Sequence, residues 1–463
     1  MANYIDLVTE QNNNGQGVIA VKYNYTKIRV DMRLKESVYY AYLGVLCMLF
    51  FARDVLSVSL PLVAFLVFFA IGYVFFDYEH SLAITAILPL LGHGVQTNYI
   101  VIVAIVMYLL KFGKGMKLTT AHFIIILLMG FEFAHMVYDP FDIPEYIRYL
   151  VQYLYLALII GERRIGELLK KPETVIRTFI FMATYFMADV LLVTLKYESV
   201  GTVLSGDFRF GSLSAYLKKV PSLFDNENMV ALFAVVTISL LIMMIYKSRK
   251  CFIFKALLIL YFTFFGLITA SRTFLLCLIG CGVLVILHTA GKSMAKAFAG
   301  IAGILAGVAL IANVFSDQIL RIIHRFNVSD VSSGRSSLFA LYNDFLLSNP
   351  KFLVFGIGLQ GVTEKTGIFN APHNGTQEVF VCWGIIGLVL MAGLFLCILR
   401  NPKKFTGKKS SFAGFFPLVV YFVFIQTIQL VRLPSIFGLL VLLYVCILYG
   451  GTSNEKQELS DNR

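Results

Sequence analysis

Residues 372–399 read PHNGTQEVFVCWGIIGLVLMAGLFLCIL. From Thr376 to Leu399 the run is apolar and long enough to cross a bilayer, since about 20 mostly apolar residues in a helix span roughly 30 Å of hydrocarbon. It is entered through Pro372-His373-Asn374, the end of a polar, arginine-bearing segment of 62 residues, 314–375. A long water-facing stretch that stops in a histidine at the mouth of an apolar helix is where function is to be sought. Ionisable groups held against a bilayer are costly and are kept for a purpose.

The rest of the chain repeats the apolar pattern. It has 463 residues, 58% hydrophobic, 14% charged and 14% aromatic, with a mean hydropathy of +0.79; this is no soluble domain. Fourteen candidate spans follow: 37–52, 55–76, 81–92, 97–111, 118–137, 145–161, 174–195, 227–246, 251–269, 272–289, 294–313, 376–399, 412–430 and 433–450. The third, fourth and tenth are short or cut by turn residues, so the count falls to twelve where neighbours merge or re-enter. The runs are too long, and alternate too little, for a β-barrel. The expected fold is all-α: a polytopic integral membrane protein of about 12–14 transmembrane helices.

Charge placement orients it. The net charge of +12 invites a nucleic-acid reading, but the cations sit at helix ends rather than on one binding face, and no nucleic-acid partner is expected. With the N-terminus in the cytoplasm, the inside segments hold Lys22, Lys27, Arg29, Arg33 and Lys35, then Lys111, Lys114 and Lys117, then Arg163, Arg164, Lys170 and Lys171. Later inside loops hold Lys247, Arg249 and Lys250, then Lys292 and Lys296, then Arg400, Lys403, Lys404, Lys408 and Lys409. Most short outside turns carry at most one cation, such as Arg53, Arg272 or Arg432. This is the positive-inside pattern. The expected organisation is a cytoplasmic segment 1–36, helices over 37–313 with an outer loop 196–226, the long extracytoplasmic loop 314–375, helices over 376–450, and a cytoplasmic tail 451–463. The expected orientation puts both termini inside and the working face outside.

Other signals are bland. The seven cysteines all fall within or at the ends of apolar spans, which suggests packing rather than disulfides or zinc. Gly300, Gly303 and Gly307 read as close helix packing. Asp139, Asp142 and Glu145 have no defensible metal-site spacing and read as solvated carboxylates. Gly356-Ile357-Gly358-Leu359-Gln360-Gly361 matches a dinucleotide fingerprint in letters only, because no βαβ unit surrounds it. Its glycines instead permit a tight turn where the chain passes close to a helix or ligand. The N-terminus lacks the layout of a cleaved signal, and the tail is polar enough to be disordered.

The candidate chemistry lies on the outer face. Asn374 followed by Gln377 is a capping-box arrangement, which starts a helix near residue 375 and leaves His373 just outside. The partial positive charge of a helix N-terminus disfavours protonating a nearby imidazole and favours anions, so His373 reads either as a general base facing an anionic substrate or as a plain loop end beside Pro372. Arg272, in Ala270-Ser271-Arg272-Thr273 with Ser271 as N-cap, reads either as a snorkelling cation or as a rigid fork for phosphate at a helix start. Gly334-Arg335-Ser336-Ser337 opens an amphipathic stretch to Ser348. Leu338, Leu341, Tyr342, Phe345 and Leu346 would share one face at helical spacing, suiting a helix that lies on the membrane. Arg335 in its first turn calls for a compensating anion. Arg321, His324 and Arg325 read as attracted to lipid headgroups.

Taken in order, Ser271-Arg272-Thr273, Gly334-Arg335-Ser336, Pro350, Gly356-Ile357-Gly358, His373-Asn374 and Gly384-Ile385-Ile386-Gly387 resemble the O-antigen ligase and Wzy-type polysaccharide polymerase superfamily. Asp225-Asn226-Glu227-Asn228 resembles that family's Asn-containing motif but departs from its usual Gly-Asn-Pro-Asn form. The resemblance covers roughly residues 200–400. It implies a membrane glycosyltransferase with an undecaprenyl-diphosphate-linked oligosaccharide as donor and another as acceptor, metal-independent and inverting, with no cofactor. Carried over residue by residue, Arg272 and Arg335 would hold the diphosphate and His373 would deprotonate the acceptor hydroxyl. Asn228 and Arg209 follow as second-tier glycan contacts, with Asn374, Arg321 and Arg325 in the same tier; Arg432 joins them by lying at the same face and matches none of these motifs.

A polymerase passes the growing chain to another lipid-linked repeat unit, and a ligase passes it to lipid A-core. The expectation leans to the polymerase, with the ligase second and a lipid-linked oligosaccharide flippase third. A transporter should hold its charges near the bilayer midplane, whereas here they gather at one boundary. Membrane lipids are expected neighbours, and whether a chain-length regulator binds is left open.

Overall fold

The computed structural model describes residues 7–11, 17–21, 25–91, 95–137, 143–162, 172–205, 208–212, 226–248, 250–290, 335–360, 362–368, 372–406, 412–427 and 433–449, with scattered positions between 295 and 320. The chain divides into two units, Met1–Phe50 and Phe51–Arg463. In the first, β1 (Leu7–Gln11) pairs antiparallel with β2 (Gly17–Val21), Leu7 opposite Val21 and Gln11 opposite Gly17. Apart from an isolated bridge between Met116 and Glu162, this hairpin is the one exception to a helical chain among the described residues. Helix α1 (Tyr25–Asp54) runs on from it.

The second unit continues with α2 (Leu62–Phe75), α3 (Tyr78–Ile87), α4 (Val95–Phe112), α5 (Thr120–Val137), α6 (Ile143–Gly161), α7 (Glu173–Thr194) and the short α8 (Val200–Ser205). Then come α9 (Glu227–Lys247), α10 (Phe252–Ile268), α11 (Arg272–Ala290), α12 (Arg335–Ser348), α13 (Pro350–Phe355), α14 (Val362–Thr366), α15 (Gly375–Thr406), α16 (Phe412–Ile425) and α17 (Pro434–Tyr449). Every expected span coincides with one of these helices except 294–313, most of which lies outside the described residues. Among the described residues, four helical stretches are long and apolar enough to cross a membrane: Thr120–Val137, Glu173–Thr194, Glu227–Tyr246 and Gly375–Arg400.

Region 81–111 holds two helical segments, not one. Helix α3 ends in a 3-10 turn, Leu88–Leu91, and α4 starts at Val95. Every residue from His80 to Leu91 is buried. A stretch from Tyr78 to Leu91 reaches only about 21 Å at 1.5 Å per residue, short of the roughly 30 Å of a hydrocarbon core. A helix buried on every side and this short is a core helix. It packs against α7.

Polar side chains tie the helices together. The Tyr73 and Thr85 hydroxyls meet at 3.0 Å, and the Tyr155 hydroxyl donates to the Thr85 carbonyl at 3.0 Å. Gln152 links α4 to α17, donating to Asn98 Oδ1 at 3.4 Å and accepting from the Ser435 hydroxyl. Such bonds matter most where packing gains little from excluding water. Lysines close two helix C-termini, where free carbonyls and the helix dipole favour a cation. Lys111 Nζ donates to the Tyr73 and Val74 carbonyls at 2.8 and 3.0 Å, and also to that of Phe76. Lys255 Nζ donates to the Met244 and Ser248 carbonyls at 3.1 and 2.7 Å.

Among the described residues, no atom lies within 4 Å of where a Cβ on Gly303 would stand; Gly300 and Gly307 lie outside the described residues. One expectation is corrected. Cys251 is exposed rather than packed, while Cys47, Cys277, Cys281, Cys382 and Cys446 are buried, and all are free thiols.

Candidate functional site

Helix α15 is broken one-third of the way along. Gly384 has φ 62° and ψ −159°, which interrupts the helical ladder and leaves carbonyls without partners. The Gly356-Ile357-Gly358 stretch supplies them. Ile357 N–H donates to the Val381 carbonyl at 3.0 Å, and Gly358 N–H to the Cys382 carbonyl at 2.7 Å. Gly356 has φ 72°, and a Cβ there would run into the Cys382 carbonyl group and Trp383 N. A Cβ on Gly384 would strike the Val354 carbonyl. Both glycines therefore answer a close approach of backbone to backbone, in keeping with the sequence expectation for 356–358.

Glu132 of α5 anchors this junction. Its carboxyl accepts from Leu359 N–H at 3.0 and 3.2 Å and from Trp383 Nε1 at 2.7 Å, with no exposed surface. His135, one turn on, reaches the Phe355 carbonyl through Nε2 at 2.8 Å. Lys365 of α14 donates to the Ile357 carbonyl at 2.7 Å. Sequence reading passed over Glu132, although a lone acid in Leu127-Leu128-Met129-Gly130-Phe131-Glu132-Phe133 is the signal that intramembrane ionisable groups give.

The N-terminal part of α15 begins at the expected cap. Asn374 Oδ1 accepts from Gln377 N–H at 3.0 Å. The return arm of the capping box does not form. Gln377 Nε2 instead donates to the Phe339 carbonyl of α12 at 2.9 Å, fastening α12 beside the start of α15. Asn374 Nδ2 donates to Gln426 Oε1 at 3.1 Å and to the Gln426 carbonyl at 3.3 Å. His373 lies one residue before this cap and is exposed.

Arg272 is the first residue of α11 and half-buried. Ser271 caps that helix as expected, its Oγ accepting from Phe274 N–H at 3.4 Å. The same hydroxyl donates to Asn228 Oδ1 at 3.1 Å. The turn into α11 is tight: Ala270 has φ 50°, and Gly266 faces the Phe274 ring with no room for a Cβ. Asn226 caps α9 by accepting from Asn228 N–H at 2.8 Å. Arg209 is ion-paired with Glu227 and donates from Nε to the Thr269 carbonyl at 3.4 Å. Ser212 Oγ donates to the other Glu227 oxygen at 2.8 Å.

These bonds join into one polar chain. Glu227 and Asn228 belong to the start of α9, Ser271 and Thr273 to the start of α11, and the Thr273 hydroxyl donates to that of Thr427 at 3.1 Å, just beyond α16. Gln426 beside it holds Asn374 and Thr376. The starts of α9, α11 and α15 and the ends of α10 and α16 therefore share one end of the bundle, with Arg209, Asn228, Arg272, His373 and Asn374 gathered there. Three helix N-termini at one place favour anionic groups. Gln426 was another residue that sequence reading missed; nothing in Phe424-Ile425-Gln426-Thr427 marks it without the fold.

Arg335 opens α12 as expected, and its side chain is outside the described residues, as are Arg321, Arg325, Arg432, Asp139 and Asp142. The face expected for α12 is borne out at Leu338, Tyr342 and Leu346, which are buried, but Leu341 is 53% exposed. Phe339 and Leu347 are exposed too, so the helix is apolar on both sides. Among the described residues no group of three or more His, Cys, Asp or Glu is placed to hold a metal ion.

No protein-family model matches the chain, and no curated protein matches it.

Proposed function

We propose that the chain is a polytopic glycosyltransferase of a bacterial cytoplasmic membrane. It would be a polysaccharide polymerase that transfers a growing glycan from undecaprenyl diphosphate to the non-reducing-end sugar of another lipid-linked repeat unit on the outer face. The observation that carries this reading is the convergence of five helix ends, hydrogen-bonded in series, around Arg272 and His373. The ends that meet there are those that the positive-inside pattern assigns to the outside, which supports the proposed orientation.

The transfer follows from these groups. His373 takes the proton of the acceptor hydroxyl, and the oxygen attacks the anomeric carbon with inversion. The bond from that carbon to the diphosphate oxygen breaks, and its electron pair leaves with the diphosphate. A positioned base contributes about 10²–10⁴-fold. Arg272 and Arg335 meet the charge that develops on the leaving group, where removal of one preorganised donor costs on the order of 10²–10³-fold. Helix N-termini add to the same field. The arginines take the electrostatic role that a divalent ion could otherwise fill.

In a strain lacking the native gene, one repeat unit on its lipid carrier or core should accumulate. His373→Ala and Arg272→Ala should fail to restore long chains at unchanged protein abundance. Normal chain-length ladders from both variants would overturn the assigned chemistry. Full-length polymer stranded on undecaprenyl diphosphate would make the protein a ligase, and units trapped on the inner leaflet would make it a flippase. Activity lost to a chelator and restored by a divalent ion would refute the metal-independent transfer.

A further inference from the structure

We infer that the Gln426-Thr427 turn sets the spacing between the arginine and the histidine of the proposed site, with Gln426 the positioning residue for His373. The inference rests on the functional reading above. Gln426 Oε1 accepts from Asn374 Nδ2 at 3.1 Å, and its side chain also shares hydrogen bonds of 3.2 and 3.4 Å with the Thr376 hydroxyl. Its backbone carbonyl accepts from Asn374 as well, at 3.3 Å. One side chain and its own carbonyl thus grip the residue after His373 and the second residue of the helix that follows. Thr427, next in the chain, meets Thr273 at 3.1 Å, one residue past Arg272.

The turn is held from behind. Thr427 donates both its N–H and its hydroxyl to the Phe424 carbonyl, at 2.8 and 2.9 Å. Helix α16, which delivers the turn, packs against α9, α11 and α17. The contact with α15 is close: a Cβ on Gly375 would stand 2.9 Å from the Ile425 carbonyl oxygen and against its side chain. The carbonyl end of α16 meets the amide end of α15, so the two dipoles attract. A site group supported by a rigid element keeps its aim better than one left on a loop.

The test uses the full-length protein in detergent and, as substrate, lipid-linked repeat units extracted from the deletion strain. Gln426→Ala should lower kcat at least ~10-fold with KM unchanged, because a misplacement of about 1 Å can cost on the order of 10²-fold. Gln426→Glu keeps acceptors for Asn374 and the Thr376 hydroxyl and should recover most of the rate. Gln426→Met keeps the length without the polar atoms and replaces the alanine variant if that one folds poorly. The Gln426→Ala/His373→Ala double variant should be no slower than His373→Ala alone, since groups acting as a unit are not additive. A wild-type kcat in Gln426→Ala and Gln426→Met, with His373→Ala inactive, refutes the inference and spares the functional reading. Losses that multiply in the double variant refute it too. Full activity of His373→Ala and Arg272→Ala removes the functional reading, and this inference with it.

Discussion

Replacing Glu132 by alanine should open the junction between the 356–359 segment and the broken helix. The carboxyl accepts two buried donors, Leu359 N–H and Trp383 Nε1–H. Each buried donor left without a partner costs about 1–3 kcal/mol, so Glu132→Ala should cost about 2–6 kcal/mol on the same scale. Glu132→Gln keeps one acceptor oxygen and turns an N–H group toward the other donor, for a loss of about 1–3 kcal/mol. Trp383→Phe removes a donor and leaves Glu132 its bond to Leu359. Removing both partners is cheaper than stranding one, so Glu132→Ala/Trp383→Phe should be less destabilised than the sum of the single variants. Hydrogen exchange at the Leu359 amide, read by mass spectrometry on the protein in nanodiscs, reports this opening. A local loss of about 2 kcal/mol speeds exchange roughly 30-fold, at 1.4 kcal/mol per tenfold. Unchanged exchange at residue 359 and an unchanged thermal midpoint in Glu132→Ala would refute the reasoning.

Three further perturbations follow from the backbone. Gly384→Ala and Gly356→Ala each force a Cβ into a carbonyl group at positive φ; each should cost at least about 2 kcal/mol in strain and show as lost monodisperse protein, whereas normal yield of both would contradict the close approach. Asn374→Ala removes the cap of α15, a loss of about 0.5–2 kcal/mol, and Asn374→Asp should restore the cap in thermal unfolding; equal midpoints for the two variants would count against that cap. Ala270 holds a left-handed conformation that costs an L-residue about 1–2 kcal/mol, so Ala270→Gly should not lower the thermal midpoint while the β-branched Ala270→Val should, and the reverse order would contradict the turn.

The helices were legible because apolar length is written locally: Met229 to Met244 reads as a helix core with no knowledge of its neighbours. The caps at Ser271 and Asn374 were legible for the same reason, since a cap bonds within its own first turn. Pairings between distant segments were not. Gln377 carries the letter of a capping box, yet its side chain goes to Phe339, because a tertiary acceptor competes with the local one. Leu341 has the spacing of a buried residue and is exposed, because helical period names a face without saying which neighbour covers it. Arg209 was read as a glycan contact, and its charge is met by Glu227, a partner 18 positions away that no local pattern announces. The hairpin at Leu7–Gln11 and Gly17–Val21 lies in a segment read for its charge and for a cleaved-signal layout, not for strands.

The break in α15 also orders the assembly of the chain during synthesis. The partners it has among the described residues lie upstream: Glu132, Ile357 and Gly358 all precede Gly384. When Val381 and Cys382 leave the ribosome, the amides for their carbonyls already exist. Chains are made N-terminus first at about 5–20 residues per second, so this junction can close within seconds of its last residue appearing. The grip on Asn374 cannot, because Gln426 is 52 positions further on. The scaffold can thus form before the histidine acquires its support, and a chain truncated after α15 would own the break but lack the aim.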